Sequence, residues 1–386
     1  MKFLHIADLH LDRAFEGITA ENLPDRTIIW HDIVAAAIEN QVDFVILAGD
    51  NFHQSRPSFM IQKLFFDGLK KLEEKSIAVF LIFGNHDYIR KNQMIEAFPR
   101  NVYAVMGEAV ETTTLSLTSG ETVAISGFSY QQPWINESKA SEFPVRSTAD
   151  FHIGVYHGEL GSANYAPFTL TELNEKNYDY WALGHIHVPT QLADNIYYSG
   201  TPLGHNRKET SSGVNLVKLT KTELSVEALN LAKVIWRDLI IPLQSTALDS
   251  AILEINQAIL AEAQSNTQTI FFSILLEEVG DYAEELVRRL QSGELQELLS
   301  AYTKQLVVKI KILSFKLEQS RTELPLSLER LEHLIAQLDL NQLVLPLSNN
   351  KIIQDNHLIE DTMLSEIKEE IGQQLRLDFD FKEVDE

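Results

Sequence analysis

The stretch Asp43-Phe44-Val45-Ile46-Leu47-Ala48-Gly49-Asp50-Asn51-Phe52-His53 decides how this chain reads. Phe44 to Ala48 are apolar and partly β-branched, with no polar position on either face. That is the pattern of a strand buried on both sides in a layered α/β domain. The run stops at Gly49, and Asp50 follows at once. A carboxylate at the end of a buried strand is costly unless a cation pairs with it. The turn beyond a strand end is also where α/β proteins carry their chemistry. Asp50 is therefore expected to bridge two metal ions, with other segments supplying the remaining ligands.

The same pattern recurs on both sides. Lys2 to Ala7 read as a first strand ending in Asp8-Leu9-His10. Residues one apart on an extended backbone point to the same side, so Asp8 and His10 are expected to reach one ion together. A hard carboxylate oxygen beside a borderline imidazole nitrogen suits Mn, Fe or Zn better than Ca. Leu23 to Asn40 read as a helix, with Pro24 near its start and Ile28, Ile29, Ile33, Val34, Ala37 and Ile38 on one face. The result is β-α-β with an aspartate after each strand on the same edge. A polar loop, Asn51 to Ser58, leads into a helix over Ser58 to Lys75.

A third strand, Ala78 to Phe83, ends in Gly84-Asn85-His86-Asp87. The Asn85 carbonyl offers a neutral oxygen ligand, and a His with an Asp beside it suits proton donation to a leaving group. Residues 101–130 alternate apolar and polar and read as shorter strands, with a hairpin turn at Ser119-Gly120. Phe151 to Tyr156 form a strand ending in His157-Gly158. Tyr178 to Leu183 form another, ending in Gly184-His185-Ile186-His187 with the same one-apart spacing. Gly213 to Leu219 and Leu224 to Leu229 read as a closing hairpin. Any one of these polar clusters is an ordinary turn. Five of them, each directly after a buried strand, read as a two-metal centre.

At 386 residues the chain is too long for one simple core. Its 45% hydrophobic and 23% charged residues are ordinary for a soluble globular protein. The absence of cysteine excludes disulfides, zinc–thiolate sites and thiol catalysis, and fits a cytoplasmic location. Met1 to His10 lack the charged-then-apolar pattern of a signal peptide, and no apolar run approaches membrane-spanning length, so no membrane association is expected. The net charge of −23 is the wrong sign for unaided attraction to nucleic-acid phosphates. Net charge governs solubility and steering and not one cleft, and divalent cations reverse the local field in an acidic pocket.

From Ile235 the character changes. Trp236 to Leu243 read as a strand or linker, Leu248 to Ala263 as a helix and Gln268 to Leu276 as a strand. Helices over Tyr282 to Gln291 and Glu294 to Tyr302 and a strand over Gln305 to Leu313 follow. This predicts a small α/β domain without polar clusters, suited to binding and not to catalysis. Farther on, Leu326, Leu328, Leu331, Leu334, Ile335 and Leu338 form one apolar stripe, and Leu364, Ile367, Ile371 and Leu375 another. Such stripes bury against each other, against the preceding domain, or against a partner. The expected organisation is 1–234, 235–320 and 321–386.

The ordered series D-x-H, G-D, G-N-H-D, H-G and G-H-x-H resembles the calcineurin-like metallophosphoesterases. The stretches MKFLHIADLHLD, AGDNFHQSRPS and YYSGTPLGHNRKE resemble, more narrowly, the SbcD-type nucleases of double-strand-break repair and their YhaO-like relatives. The resemblance implies an α/β fold of two packed β-sheets flanked by helices, an α/β/β/α sandwich, followed by a small α/β capping domain and C-terminal helices. It implies that Asp8, His10, Asp50 and His187 hold one metal ion, and Asp50, Asn85, His157 and His185 the other. His86 would serve the leaving oxygen, with Asp87 orienting it, and His53 would contact the phosphate. Asn51 is read as a neighbour of the site and not a ligand. Two divalent ions are implied, Mn²⁺ first, with Fe²⁺ or Zn²⁺ as alternatives.

The activity implied is a DNA nuclease that hydrolyses phosphodiesters with a water activated by two metals. The same ligands would also serve a phosphodiesterase for cyclic nucleotides or other small phosphoesters. A third reading is a non-catalytic protein that binds DNA ends. Arg13, Arg56, Arg90, Lys91, Arg207 and Lys208 sit in loops beside the motifs, either as DNA-phosphate contacts or as solvated charge. The implied partners are DNA, a second copy of the chain, and an SbcC-type (YhaN-like) coiled-coil ATPase bound through the C-terminal helices. The implied setting is the cytoplasm, at the nucleoid.

Overall fold

The computed structural model describes residues 1–16, 27–89, 94, 97–209, 213–264, 266, 268–277, 280–303 and 310–317. All of them lie in the first of two compact units, 1–318; the second is 319–386. In chain order the elements are β1 (Lys2–Ile6), α1 (Ile28–Glu39), β2 (Phe44–Ala48), α2 (Phe59–Glu74), β3 (Ala78–Ile82), β4 (Val102–Ala104), β5 (Glu111–Ser116), β6 (Thr122–Gly127) and β7 (Phe151–His157). Then come α3 (Leu170–Glu175), β8 (Tyr180–Gly184), β9 (Thr190–Ala193), β10 (Ile196–Tyr198), β11 (Val214–Leu219) and β12 (Leu224–Leu229). A last group comprises β13 (Val234–Pro242), α4 (Leu248–Gln264), β14 (Thr269–Glu277), α5 (Ala283–Gln291), α6 (Glu294–Thr303) and β15 (Ile310–Leu317).

Two six-stranded sheets form the sandwich. The first has the order β12-β11-β1-β2-β3-β4; β1 to β4 are parallel, and β11 joins β1 antiparallel. The second has the order β5-β6-β7-β8-β10-β9, with an antiparallel strand at each edge. The two-residue period of the strands sorts their side chains between layers. Phe44, Ile46, Ala48, Phe80 and Ile82 meet Val123, Ile125, Ile153 and Val155 between the sheets. Val45, Leu47, Val79 and Leu81 face the other way, onto Ile33, Val34, Phe65, Phe66 and Leu69 of α1 and α2. The outer face of the second sheet carries Tyr156, Trp181 and Leu183, covered by Phe143, Phe168 and Leu173. Each large apolar side chain withdrawn from water in this way contributes about 1.5–3 kcal/mol.

Helix α2 shows the local logic. The Ser58 hydroxyl caps it by accepting from the Ile61 N–H at 3.4 Å. Gln62, Phe65, Phe66, Leu69 and Leu72 then recur at helical spacing as its buried face. A third sheet, β13-β14-β15, is parallel and backed by helices. One of its faces packs Ile270, Phe272, Ile274 and Leu276 against Ile252, Ile255 and Ile259. From the opposite face Trp236 and Phe271 enter the first core beside Phe15 and Leu203.

Some expectations shift. On α1, Ile28 is 41% exposed, and Trp30 belongs to the buried face with Ile29, Ile33 and Val34. The expected first turn from Leu23 lies outside the described residues. The last strand ends at Leu317 and not at Leu313, because its pairing with β14 sets Ile310 opposite Ile270 and Leu317 opposite Leu276. At three to six residues, α3, β9 and β10 are too short for periodicity to declare. Arg90, Lys91 and both C-terminal apolar stripes lie outside the described residues. Among the described residues no helix is long and apolar enough to cross a membrane.

Candidate metal centre

The ends of β1, β2, β3, β7 and β8 meet at one edge of the sandwich. Asp8 and His10 were expected to converge from an extended backbone. Instead the chain kinks into the left-handed region, with φ 52° at Asp8, 41° at His10, 51° at Asp50 and 103° at His185. The turns after β1 and β2 are laced together: the Asp8 N–H donates to Gly49 O at 3.1 Å and the His10 N–H to Asp50 O at 3.0 Å. Those bonds stabilise a backbone that costs roughly 1–3 kcal/mol at each non-glycine position, and such strain clusters at functional sites. Two glycines allow the close approach. A Cβ on Gly84 would lie 2.2 Å from Asp50 Oδ1 and 2.6 Å from His157 Nε2; one on Gly49, at φ +91°, would lie 2.4 Å from His157 Nδ1.

Asp8, His10, Asp50 and His157 are completely or almost completely buried, and Asn85 nearly so. The hydrogen bonds assign their protons. His157 Nδ1 faces Ala48 O at 2.9 Å and must carry the hydrogen. Its Nε2 then faces Asn85 Oδ1, 3.1 Å away, and Asp50 Oδ2, 3.5 Å away. His185 Nδ1 lies 3.1 Å from the same Asn85 oxygen. His187 Nδ1 donates to Glu209 Oε1 at 2.7 Å, which leaves its Nε2 facing His10 Nε2 at 3.1 Å. His10 Nε2 is 3.7 Å from Asp50 Oδ2. Asp8, His10 and His187 form one group and Asp8, Asp50 and His157 another, with ligand atoms within 4.8 Å of one another in each. Lone pairs converging in a dry site repel unless a cation or proton lies among them. An oxygen and imidazole donor set without sulfur fits divalent Mn, Fe or Zn.

The electrostatics agree. Burial pushes Asp8 up to about 6 against the opposing pull of His187 and His157. Burial also acts on Asp50, but His157 and His10 outweigh it and hold this carboxyl well below the usual range. Burial lowers His157, yet the Asp50 carboxylate prevails and holds it at about 9. Burial drives His10 well below its ordinary value and His185 down to about 3, so their lone pairs stand ready at neutral pH. Cation binding would displace the His157 proton and so depend on pH.

His86 is exposed at the rim, stacked on His53 at 4.9 Å and edge-on to His10 at 5.1 Å. Its backbone N–H donates to Asp50 Oδ1 at 2.9 Å. Among the described residues no hydrogen bond is seen between the Asp87 carboxylate and the His86 ring. The buried Asp87 carboxylate accepts from the N–H groups of Gly84 at 2.7 Å, Asn51 at 2.8 Å and Asp50 at 3.2 Å, and from Asn51 Nδ2 at 2.9 Å. The turns after β2 and β3 leave N–H groups without carbonyl partners, and Asp87 satisfies them. Burial, with the Asp50 charge adding to it, raises Asp87 to about 7. Asn51 stands beside the site, donating also to Ile82 O at 3.0 Å.

Arg13 Nη1 donates to Glu209 Oε1 at 3.0 Å. Arg56, Arg207 and Lys208 are exposed. Glu209, not among the expected site residues, joins the hydrogen bonds behind His187. It is 6% exposed and accepts from His187, Arg13, Asn206 Nδ2 at 2.8 Å and the His205 N–H at 2.7 Å. No strand precedes it and no spacing marks it. The only signal was a glutamate closing the polar run Gly204 to Glu209.

The family described as calcineurin-like phosphoesterase matches residues 1–189. The chain is 29% identical over 323 residues to the metallophosphoesterase YhaO of Bacillus subtilis, covering 79% of this chain and 78% of that protein. It is 26% identical over 251 residues to the DNA double-strand break repair protein Mre11 of Thermoplasma acidophilum, covering 60% of this chain and 65% of that one. It is 24% identical over 159 residues to SbcD, a component of the nuclease SbcCD of Bacillus subtilis, covering 39% and 40%. The chain thus spans most of YhaO but less than two thirds of the Mre11 and SbcD proteins.

Proposed function

We propose that this chain, which carries a calcineurin-like metallophosphoesterase domain homologous to YhaO and to the Mre11 and SbcD nucleases, is a manganese-dependent DNA nuclease. The observation that supports this reading is the convergence of buried Asp, His and Asn side chains from five strand ends, in a chain with Mre11 and SbcD among its relatives. Asp8, His10, Asp50 and His187 hold one ion; Asp50, Asn85, His157 and His185 hold the other. Bound divalent ions supply phosphate polarisation and water activation.

The chain's own residues do the rest. His86, exposed above the cluster, delivers a proton to the leaving oxygen, and His53, stacked on it, contacts the phosphate. Asp87 holds the Gly84–His86 turn so that Asn85 and His86 face the substrate. Arg56, Arg207 and Lys208, with Arg90 by its place in the sequence, meet backbone phosphates. The layer from β13 to β15 acts as a cap along the DNA path. The stripes from Leu326 and Leu364 dock an SbcC-like coiled-coil ATPase, two copies of the chain form the working nuclease, and it acts in the cytoplasm at the nucleoid.

The test is cleavage of end-labelled linear duplex and single-stranded DNA with Mn²⁺, beside bis-p-nitrophenyl phosphate and cyclic nucleotides. The expected outcome is DNA cleavage that falls about 10²–10⁴-fold in His86→Ala while Mn²⁺ uptake persists. Hydrolysis of small esters with no DNA cleavage, even with the ATPase present, would return the site to a small-molecule phosphodiesterase.

A further inference from the structure

We propose that Glu209 is a positioning residue for one of the two metal ions, acting through His187, and that Arg13 serves Glu209 and not the substrate. The inference rests on the two-ion reading above. His187 lies beyond the end of β8, on a loop, and its ring is fixed from behind by one short contact, Nδ1–H to Glu209 Oε1 at 2.7 Å. A charge-assisted bond of this kind sets the tautomer, orients the ring and strengthens the lone pair on the opposite nitrogen. That nitrogen, Nε2, is the one aimed at His10 Nε2, 3.1 Å away, within the group that includes Asp8.

The carboxylate is built in. A buried glutamate without partners would be costly, but the two Glu209 oxygens accept from Arg13, His187, Asn206 and the His205 N–H. Its loop is pinned in turn. The Trp236 indole N–H, from β13, donates to Gly204 O at 2.9 Å, and the Glu16 N–H donates to His205 O at 2.8 Å. In the other half His157 is oriented by the backbone oxygen of Ala48, and His185 Nε2 lies 3.8 Å from Glu159 Oε2, beyond hydrogen-bond reach. Glu209 therefore acts on one ion of the pair.

The experiment is a calorimetric Mn²⁺ titration of the full chain, with bound ions counted by electron paramagnetic resonance, on wild type, Glu209→Ala and Glu209→Gln. The expected result for Glu209→Ala is two sites of which one weakens by about 10–100-fold while the other keeps its wild-type affinity. Glu209→Gln retains an oxygen for His187 Nδ1–H and should recover part of that loss. It also carries the test if the alanine variant fails to fold, as judged by circular dichroism without metal. Two unaltered sites in both variants, or equal weakening of both sites, would overturn the role of Glu209 and leave the two-ion reading standing. A wild-type chain that takes up no Mn²⁺ would overturn both.

Discussion

His157 and His187 face the same cluster and are held from behind in opposite ways. His157 closes β7, is fully buried, and gives its Nδ1–H to the backbone of Ala48. His187 sits on a loop with its side chain 23% exposed and gives its Nδ1–H to the side chain of Glu209. The support behind His157 is thus strand backbone, which no side-chain substitution removes. The support behind His187 is a carboxylate that a single substitution removes. Nearly identical chemistry at the ligand atoms therefore conceals unequal vulnerability.

The strongest test of that contrast is Asp50→Asn, which keeps the shape of the one side chain assigned to both halves but removes its charge. Both ions and phosphoester hydrolysis are expected to be lost, measured by Mn²⁺ titration and turnover of bis-p-nitrophenyl phosphate. One ion retained at full affinity would show that the halves do not share Asp50. Gly84→Ala should weaken the ion held by His157 more than the one held by His187, since its methyl would collide with His157 Nε2 as well as with the shared Asp50 Oδ1. The expected cost is about 1–3 kcal/mol in urea unfolding without metal, with weakening of the ion held by His157. Equal weakening at His187 would break the comparison.

The smallest effect concerns a second buried histidine on β7. His152 Nδ1 accepts from the Ser147 N–H at 3.0 Å, its Nε2 is 2.8 Å from Ser126 Oγ, and its ring stacks on Tyr178. Burial, with Arg146 nearby, lowers it to about 4, whereas Asp50 keeps His157 high. A histidine whose folded pKa lies below its unfolded value of about 6.5 leaves the unfolded chain binding more protons between the two. Its contribution is therefore complete above about 6.5 and is lost as the pH falls toward 4. His152→Asn should flatten the pH dependence of unfolding across that window in metal-free buffer. An unchanged slope would refute this account.

Much of the site was legible because it sits where local patterns end. Strands β1, β2, β3, β7 and β8 are apolar runs buried on both faces, and each stops at a polar cluster. The pairings were not legible. Asp87 and Asp50 meet across 37 residues, and Arg13 and Glu209 across 196. No spacing rule connects such positions, so neither pairing could be read from the sequence. The left-handed turns at Asp8, His10 and Asp50 were also hidden. Non-glycine residues adopt them only where surrounding contacts stabilise the strain.

The amino-acid sequence alone determined which strands are central and which ligand types follow each of them, because burial periodicity and strand termination are local properties of the chain. The tertiary structure alone decided that Asp87 knits two turns, that Arg13 turns inward, and that Glu209 stands behind His187. Those outcomes depend on which donors and acceptors meet in space once two sheets and a third layer have packed, and a carboxylate bonds to what it reaches and not to its neighbour in the chain.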